Sequence, residues 1–256
     1  MVIKKQSVVN VKNVGFVYEN NNHSTIQALD NINFRVGEGE IVCILGPSGC
    51  GKTTLLSLIS GLKNPTFGKI FHRGKMVLKP SNQRVIIFQD YSLFPWKTSI
   101  QNIEFVLRSK NIPQEEIKSK ALKFLRLVDL ERFKNNYPHE LSGGMQQRIG
   151  IARALSCDPD VLLFDEPFAS LDSITKSSIY KEILDISKKT KKTMIFVTHN
   201  VEEAIFLGNK IVILSGSPGK IIKQISVNLP KSENLSETKS LSEFVNLEKK
   251  ILELLN

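Results

Sequence analysis

Cysteine is scarce in this chain, and its sequence has no long apolar run. The three cysteines, Cys43, Cys50 and Cys157, are an odd number at unrelated spacings, which argues against a disulfide framework or a zinc site and favours a reducing compartment. The first ten residues hold no long apolar stretch, and no later run approaches the ~18 apolar residues that a membrane-spanning helix needs. We therefore expect a protein that is soluble by itself.

Acidic residues are also in deficit. The 25 Asp and Glu against 35 Lys and Arg give a formal net charge of +10, which fits a solvated lysine-rich surface, contact with an anionic membrane face, or nucleic-acid binding. Charge alone does not choose among the three, and we favour the plain solvated surface. With 256 residues the chain suits one large α/β domain and is too short for two complete nucleotide domains, so each motif is expected once.

A glycine-rich turn, residues 46–51, follows an apolar run and precedes a helical pattern; we call it the phosphate loop. From Gly46 the spacing is G-x-x-x-x-G-K-T, and such glycines let successive backbone N–H groups point inward at an anion. The helix N-terminus that follows adds partial positive charge. Lys52 would reach the phosphates and the Thr53 hydroxyl would ligate Mg²⁺. The predicted nucleotide-binding residues here are Gly46, Pro47, Ser48, Gly49, Cys50, Gly51, Lys52, Thr53 and Thr54.

Four apolar runs stop at polar residues of chemical interest. IVCIL ends at the phosphate loop, VIIF at Gln89, VLLF at Asp165 and Glu166, and MIFV at His199. If these runs are parallel strands of one doubly wound sheet, the four ends share its carboxyl edge, where α/β sheets bind ligands. Asp165 would then hold Mg²⁺, and Glu166 would orient or deprotonate the water that attacks the γ-phosphate.

The other strand-end residues have two interpretations each. His199 would hydrogen-bond the γ-phosphate, although a lone histidine is more often structural. Gln89 would sense the attacking water or the metal. Tyr18 ends an N-terminal strand before a polar loop, where its ring would stack on adenine or pack at the rim.

A second candidate anion site stands at Ser142, Gly143 and Gly144, at the start of another helical pattern. A small hydroxyl, two glycines and a helix dipole offer the same physics as the phosphate loop. The alternative is an ordinary serine N-cap, which the triplet alone favours. Asp172 or Ser173 is likewise expected to cap the helix that follows.

The predicted fold is α/β: a P-loop NTPase with a doubly wound, mainly parallel sheet, an antiparallel β subdomain and a helical insertion subdomain. Residues 8–18 alternate apolar and polar as a half-buried strand does. The helical insertion is expected at about 90–156, between two sheet strands. Residues 231–256 read as a polar linker and an amphipathic helix, whose apolar positions are Leu241, Phe244, Leu247, Ile251, Leu252 and Leu255.

The motifs and their order along the chain resemble those of the ATP-binding-cassette (ABC) ATPases, and the resemblance covers nearly the whole chain. GPSGCGKT is similar to their Walker A, VLLFDE to their Walker B and LSGGMQQR to their signature sequence. Gln89, residues 170–172 (SLD), His199 and Tyr18 resemble the Q-loop, the D-loop, the switch histidine and the adenine-stacking aromatic. The resemblance makes residues 1–230 the ABC ATPase domain, with ATP and Mg²⁺ as cofactors.

In that family the signature sequence serves the nucleotide of the partner subunit. The resemblance therefore implies a homodimer that sandwiches two ATP. It adds Ser142, Gly143, Gly144, Gln146 and Asp172 to the nucleotide-contacting residues, and it places Gln89 with Thr53 and Asp165 at the metal.

Three stretches, FPWKTSIQNI, LSGSPGKI and FVNLEKKILELL, are similar to the importers of nitrate, sulfonates and taurine. They imply a peripheral subunit at the cytoplasmic face of the membrane, bound to permease subunits and served indirectly by a solute-binding protein. In relatives, the surface corresponding to residues 93–96 receives a short helix of the membrane subunit. Asn200 stands where many relatives carry Asp, and Lys-Ser-Glu-Asn after Pro230 departs from the expected linker.

The alternative is an ABC-type ATPase that acts on DNA or another non-transport target. DNA-acting members carry a long coiled-coil or zinc insertion, and the stretch from Thr53 to Asp165 shows neither heptads nor a cysteine cluster. A translation-factor ATPase would be expected to carry two cassettes in one chain. We therefore expect no nucleic-acid partner.

Overall fold

The computed structural model describes residues 7–19, 25–90, 92–169, 171–230 and 235–255, with backbone only at 173 and 174. The strands are β1 Ser7–Glu19, β2 Thr25–Gly37, β3 Ile41–Leu45, β4 Phe67–His72, β5 Lys75–Met76, β6 Arg84–Ile87, β7 Val161–Asp165, β8 Thr193–Thr198, β9 Lys210–Leu214 and β10 Ile221–Ser226. The α-helices are α1 Lys52–Ser60, α2 Ser99–Arg108, α3 Gln114–Leu127, α4 Gly143–Ser156, α5 Ser173–Thr190, α6 Val201–Leu207, α7 Leu235–Lys239 and α8 Ser242–Leu255. Short 3₁₀ turns lie at Glu131–Phe133 and Pro138–Glu140.

The central sheet has the strand order β10-β9-β3-β8-β7-β6. Its strands run parallel except β10, which pairs antiparallel with β9. The four strands predicted to end at chemically interesting residues are therefore neighbours with a common carboxyl edge. The prediction of a doubly wound, mainly parallel sheet is confirmed.

The apolar runs of β3, β7 and β8 are buried on both faces, as parallel strands inside a covered sheet require. In β3, Cys43 and Leu45 belong to one hydrophobic cluster, with the helical insertion and α5. Val42 and Ile44 belong to the other, with α1 and the antiparallel sheet. Alternate residues of one run thus fill two different cores, and a continuous apolar sequence is the result.

The N-terminal strands form the predicted antiparallel sheet, in the order β2-β1-β4-β5. Its inner face, which includes Val9, Val11 and Phe34, packs with α1 residues such as Leu55 and Ile59 in a single cluster. This contact places the antiparallel sheet beside the phosphate loop, because α1 begins where the loop ends.

The helical insertion consists of α2, α3 and α4, which pack together around Ile103, Leu107, Ala121, Leu125 and Ile149. Helix α2 begins at a capping box in which Thr98 accepts from the Gln101 backbone. Helix α2 ends at Arg108 and α3 ends at Leu127. After α3 the chain turns through Asp129, whose φ of 53° is incompatible with a continuing helix.

The C-terminal segment differs from the predicted linker and helix in two respects. Part of the polar stretch forms α7, and α8 turns Leu252 toward solvent with an exposed fraction of 46%. Phe244 and Ile251 are buried and share the hydrophobic cluster of the sheet. Adjacent residues on a helix are about 100° apart, so burying Ile251 moves Leu252 off the packed face. Among the described helices, none has the length and apolarity to cross a bilayer.

Candidate active site

The phosphate loop joins the end of β3 to the start of α1, and glycine is needed to close it. Gly51 has a φ of 91°, in the left-handed region that side-chain-bearing residues avoid. A Cβ at Gly51 would also lie 2.8 Å from the Ala28 carbonyl oxygen of β2. The loop therefore lies tightly against the antiparallel sheet, with the N-terminus of α1 directed at it.

Lys52 supplies the positive charge at this loop. Its side chain is almost fully buried, and Nζ donates to the carbonyl oxygens of Gly46 and Pro47, each at 2.9 Å. The same Nζ lies 3.7 Å from Oε1 of Glu166. The cation is thus held between the loop and the Glu166 carboxylate on the neighbouring part of the sheet edge.

Thr53 and Asp165, the two residues predicted to bind Mg²⁺, are in direct contact. The Thr53 hydroxyl donates to Oδ1 of Asp165 at 2.9 Å. Burial raises the pKa of the Asp165 carboxyl, and the Glu166 charge adds to the rise, while the Thr53 hydrogen bond and Lys52 act against it. A hydroxyl and a carboxylate oxygen are ligands that Mg²⁺ accepts, so these residues fit that ion. In the described ranges, no three His, Cys, Asp or Glu side chains group into a metal site.

Glu166 has an unusual backbone conformation, with a φ of 44°. Its N–H donates to the Val197 carbonyl of β8 at 3.1 Å, which ties the turn after β7 to the adjacent strand. Its Oε2 lies 3.0 Å from Nδ1 of His199. Non-glycine residues with positive φ are found where surrounding structure enforces them, often at functional sites. The carboxylate lies between the Lys52 cation and the His199 imidazole.

A cavity of about 300 Å³ lies against this group of residues. It is lined by Tyr18, Ile26, Ala28, Ser48, Gly49, Gly51, Lys52, Thr53, Thr54, Glu166 and Ser217. The Tyr18 hydroxyl is 2.9 Å from Oγ1 of Thr54, and Lys63 Nζ lies 4.5 Å from the Tyr18 ring centroid. These contacts hold the Tyr18 ring at the cavity wall, where a planar base has an aromatic face to stack on.

Other predicted residues are found away from this cavity lining. Gln89 is exposed, two residues beyond β6. Ser142 caps α4 by accepting from the Met145 N–H at 3.3 Å, and Gln146 Nε2 donates to the Leu141 carbonyl. Asp172 caps α5 by accepting from the Thr175 N–H at 3.0 Å.

Both glycines of the triplet, Gly143 and Gly144, belong to the first turn of α4. A Cβ at Gly144 would lie 2.7 Å from Cγ2 of Thr175, so this turn packs closely on α5. Position 170, the first of the SLD stretch, lies outside the described residues. Lys52 and Thr53 at the end of the phosphate loop therefore contact Glu166 and Asp165, and His199 contacts Glu166, whereas Ser142, Gly143 and Gly144 are not among the residues that line the cavity.

One residue at this edge was not predicted from the sequence. Glu203, in the first turn of α6, is buried and accepts hydrogen bonds from the Thr198 and Tyr180 hydroxyls. Asn200 caps the same helix by accepting from the Glu203 N–H at 3.0 Å. The Asn200 and Glu203 spacing is that of a capping box, which predicts an exposed carboxylate reaching back to the cap rather than a buried one.

The comparisons with known proteins agree with this geometry. The ABC transporter family model matches residues 29–169, more than half of the chain. An uncharacterized ABC transporter ATP-binding protein of Methanocaldococcus jannaschii is 44% identical over 99% of this chain and 94% of its own length. An aliphatic sulfonates import ATP-binding protein of Bacillus cereus is 46% identical over 90% of this chain and 88% of its own. A nitrate import ATP-binding protein of Synechocystis is 44% identical over 84% of this chain and 81% of its own length.

Among solved structures, a dimeric ATP-binding cassette in a post-hydrolysis state, bound to ADP and phosphate, superposes with a TM-score of 0.75. It is 33% identical and covers 86% of this chain and 99% of that chain. The fold and the phosphate loop with its facing carboxylates lead to one assignment. The relatives that match over most of the chain lead to the same one. The chain belongs to the ABC transporter family and is an ATP-binding, ATP-hydrolysing cassette of that family.

Proposed function

We propose that this chain is the ATP-hydrolysing subunit of a membrane importer for small anionic or sulfur- or nitrogen-containing solutes of the nitrate, sulfonate and taurine type. The observation that carries the proposal is the 44–46% identity to sulfonate and nitrate import ATP-binding proteins over most of the chain. A peripheral position at the cytoplasmic face, permease partners and an indirectly acting solute-binding protein belong to the same proposal.

The residues at the carboxyl edge divide the work of hydrolysis. Lys52 neutralises phosphate charge beside the loop N–H groups. Thr53 and Asp165 would hold Mg²⁺, which when bound supplies further neutralisation of the phosphate oxygens. Glu166 accepts a proton from the attacking water. His199, 3.0 Å from Glu166 Oε2, orients that carboxylate, so its proposed contact is with Glu166 as well as with the γ-phosphate.

The remaining site residues are proposed to act across a dimer. Ser142 and its two glycines do not line the cavity at the phosphate loop of their own chain, and a solved relative is a dimer. In a head-to-tail pair, the α4 N-terminus and Asp172 of one subunit would complete the nucleotide site of the other. Gln89, exposed on the same sheet edge, would report the state of that site to the helical insertion.

Residues 93–96, the aromatic cluster, are proposed to receive the permease. Phe94 packs edge-on against Phe105 with ring centroids 4.7 Å apart, whereas Trp96 is 70% exposed. Beside them lies a groove of about 220 Å³ whose lining includes Phe88, Ser92, Val106, Arg153 and Cys157. The cluster begins four residues after Gln89, so a movement of Gln89 at the nucleotide would be passed to the permease bound there.

The experiment is uptake in cells of the source organism that lack this chain. Labelled taurine, ethanesulfonate and nitrate are supplied separately, and the wild-type chain or Glu166→Gln is returned on a plasmid. We expect uptake of one of the three solutes to be lost, restored by the wild type and not by the variant. Unchanged uptake of all three, together with ATPase activity that rises on adding duplex DNA, would favour the DNA-acting alternative.

A further inference from the structure

The buried side chain of Glu203 makes hydrogen bonds to two elements that pack near Glu166: strand β8, through Thr198, and helix α5, through Tyr180. Glu203 is 6% exposed. Its Oε2 accepts from the Thr198 hydroxyl at 2.6 Å, and its Oε1 accepts from the Tyr180 hydroxyl at 2.7 Å and lies 3.4 Å from Lys176 Nζ. Burying a carboxylate is unfavourable unless donors replace its water, and here both oxygens have donors from other elements.

The hydrogen bond between Glu203 and Thr198 connects Glu203 to the turn that carries His199. Thr198 is the last residue of β8, and its hydroxyl both donates to Glu203 and accepts from the Asn200 N–H at 3.0 Å. The two hydrogen bonds fix the backbone on either side of His199, whose side chain is exposed. Since the His199 ring has Glu166 as its partner at 3.0 Å, the direction of the ring depends on this turn.

The hydrogen bond between Glu203 and Tyr180 leads to the chain that follows Glu166. Tyr180 packs edge-on against Phe168, with ring centroids 4.8 Å apart, and Phe168 lies two residues after Glu166. The Lys176 N–H donates to the carbonyl of Asp172, the residue that caps α5. Glu203 therefore connects the turn that carries His199 with α5 and, through Tyr180, with Phe168.

We propose that Glu203 is a positioning residue for ATP hydrolysis, which locks the His199 turn against α5 and so keeps the imidazole against the Glu166 carboxylate. The inference rests on the proposed roles of Glu166 and His199. Glu203 touches neither the cavity lining nor the Glu166 carboxylate and acts through Thr198 and Tyr180.

The primary test compares the purified wild-type chain with Glu203→Gln and Thr198→Val. Each carboxylate oxygen of Glu203 accepts from one hydroxyl, and glutamine replaces one of these oxygens with an NH₂ donor. Valine keeps the shape of threonine without its donor. Steady-state hydrolysis should show kcat reduced roughly 10-fold to 100-fold, the range known for outer partners of metal-bound histidines, with KM for ATP unchanged. Thr198→Ser keeps the hydroxyl and should restore most of the rate. Glu202→Gln is the matched control, because Glu202 immediately precedes Glu203 in α6, is partly exposed and pairs with Lys239.

A double-mutant cycle separates positioning from a merely structural role. In a His199→Ala background, Glu203→Gln should have no further effect on kcat, because the residue it positions is gone. Full additivity, equal rates for Thr198→Ser and Thr198→Val, or a wild-type rate for Glu203→Gln would overturn the proposal. If Glu203→Gln does not fold, the same cycle is run with Thr198→Val in place of Glu203→Gln. Thr198→Val should then have no further effect on kcat in the His199→Ala background. Wild-type hydrolysis by both Glu166→Gln and His199→Ala would instead refute the proposed catalytic roles themselves.

Discussion

The Thr53 hydroxyl and the Asp165 carboxylate are 2.9 Å apart, although 112 residues separate them in the chain. One belongs to the first turn of α1 and the other ends β7, two strands away from β3 in the sheet. The side chain at a helix start thus reaches across the intervening β8 strand to a strand end. This contact defines the point where the phosphate loop and the carboxylates act together.

Glu166→Gln should bind ATP but hydrolyse it on the order of 10²–10⁴-fold more slowly, the usual contribution of a positioned general base. The amide keeps the size of the side chain but cannot take a proton from water. The variant should also accumulate an ATP-bound dimer. Phosphate release and light scattering at saturating ATP measure the two effects. A variant that hydrolyses ATP at the wild-type rate contradicts the role of Glu166 as the base. A variant that stays monomeric at saturating ATP contradicts the ATP-bound dimer.

Ser142→Arg should fold and bind ATP yet hydrolyse it poorly, because the larger side chain blocks the α4 N-terminus offered to the opposite subunit. Lys52→Ala should bind nucleotide weakly and not hydrolyse it, since it removes the buried cation of the phosphate loop. A mixture of the two variants restores one composite site from two intact halves in a head-to-tail dimer. The measurement is ATPase activity across mixing ratios, with each variant alone as control. No recovery at any ratio would refute this geometry.

Trp96→Ala should leave folding and basal ATPase near normal while permease binding and ATP-dependent uptake fall sharply. Its ring is 70% exposed, so truncation removes little internal packing, whereas truncating an interface Trp often costs about 2 kcal/mol or more of binding. Phe94→Ala is the matched comparison and should lower the melting temperature, because Phe94 packs on Phe105 and lies 5.4 Å from the Arg153 guanidinium. Pull-down of the permease and thermal melts separate the two. Normal uptake with Trp96→Ala would eliminate this surface as the coupling site.

The pH dependence of stability should change on replacing Glu182 in α5. Burial raises the pKa of this carboxyl from 4.5 to about 7. Arg148 Nε lies 2.8 Å from Oε2 without hydrogen-bond geometry, so the ion pair offsets only part of the desolvation. Because the folded-state pKa is the higher one, folding favours the protonated form. This contribution is fully present below about pH 4.5 and is lost as the pH rises toward 7.

Glu182→Gln removes that titration. Relative to the wild type, its free energy of unfolding should increase steadily from pH 5 to 8, by on the order of 2–3 kcal/mol in total. Urea unfolding at several pH values measures the difference, and Glu116→Gln, at an exposed pair with Lys120, serves as control. A constant difference between variant and wild type across this range would show that Glu182 does not titrate there.

The sequence by itself determined the phosphate loop, the fold class and the strands that bear the chemistry. These features are local: the spacing of Gly46, Gly51 and Lys52 requires a particular turn, and the continuous apolar runs of β3, β7 and β8 require burial on both faces. The confirmed sheet follows from the second requirement. The roles of Gln89, Ser142 and Asp172 stay predictions, since they concern a second subunit or a bound nucleotide.

Only the tertiary structure decided how the strand ends meet. The order β3-β8-β7-β6 brings the Glu166 carboxylate into contact with both Lys52 and His199, and the Glu166 N–H bonds to the Val197 carbonyl of the adjacent strand β8. The same holds for Glu203, whose local spacing predicts an exposed cap partner, and for Leu252, which the apolar pattern of its helix places inside. Local periodicity fixes which residues share a face. Burial depends on what packs against that face, and those contacts join residues far apart in the chain.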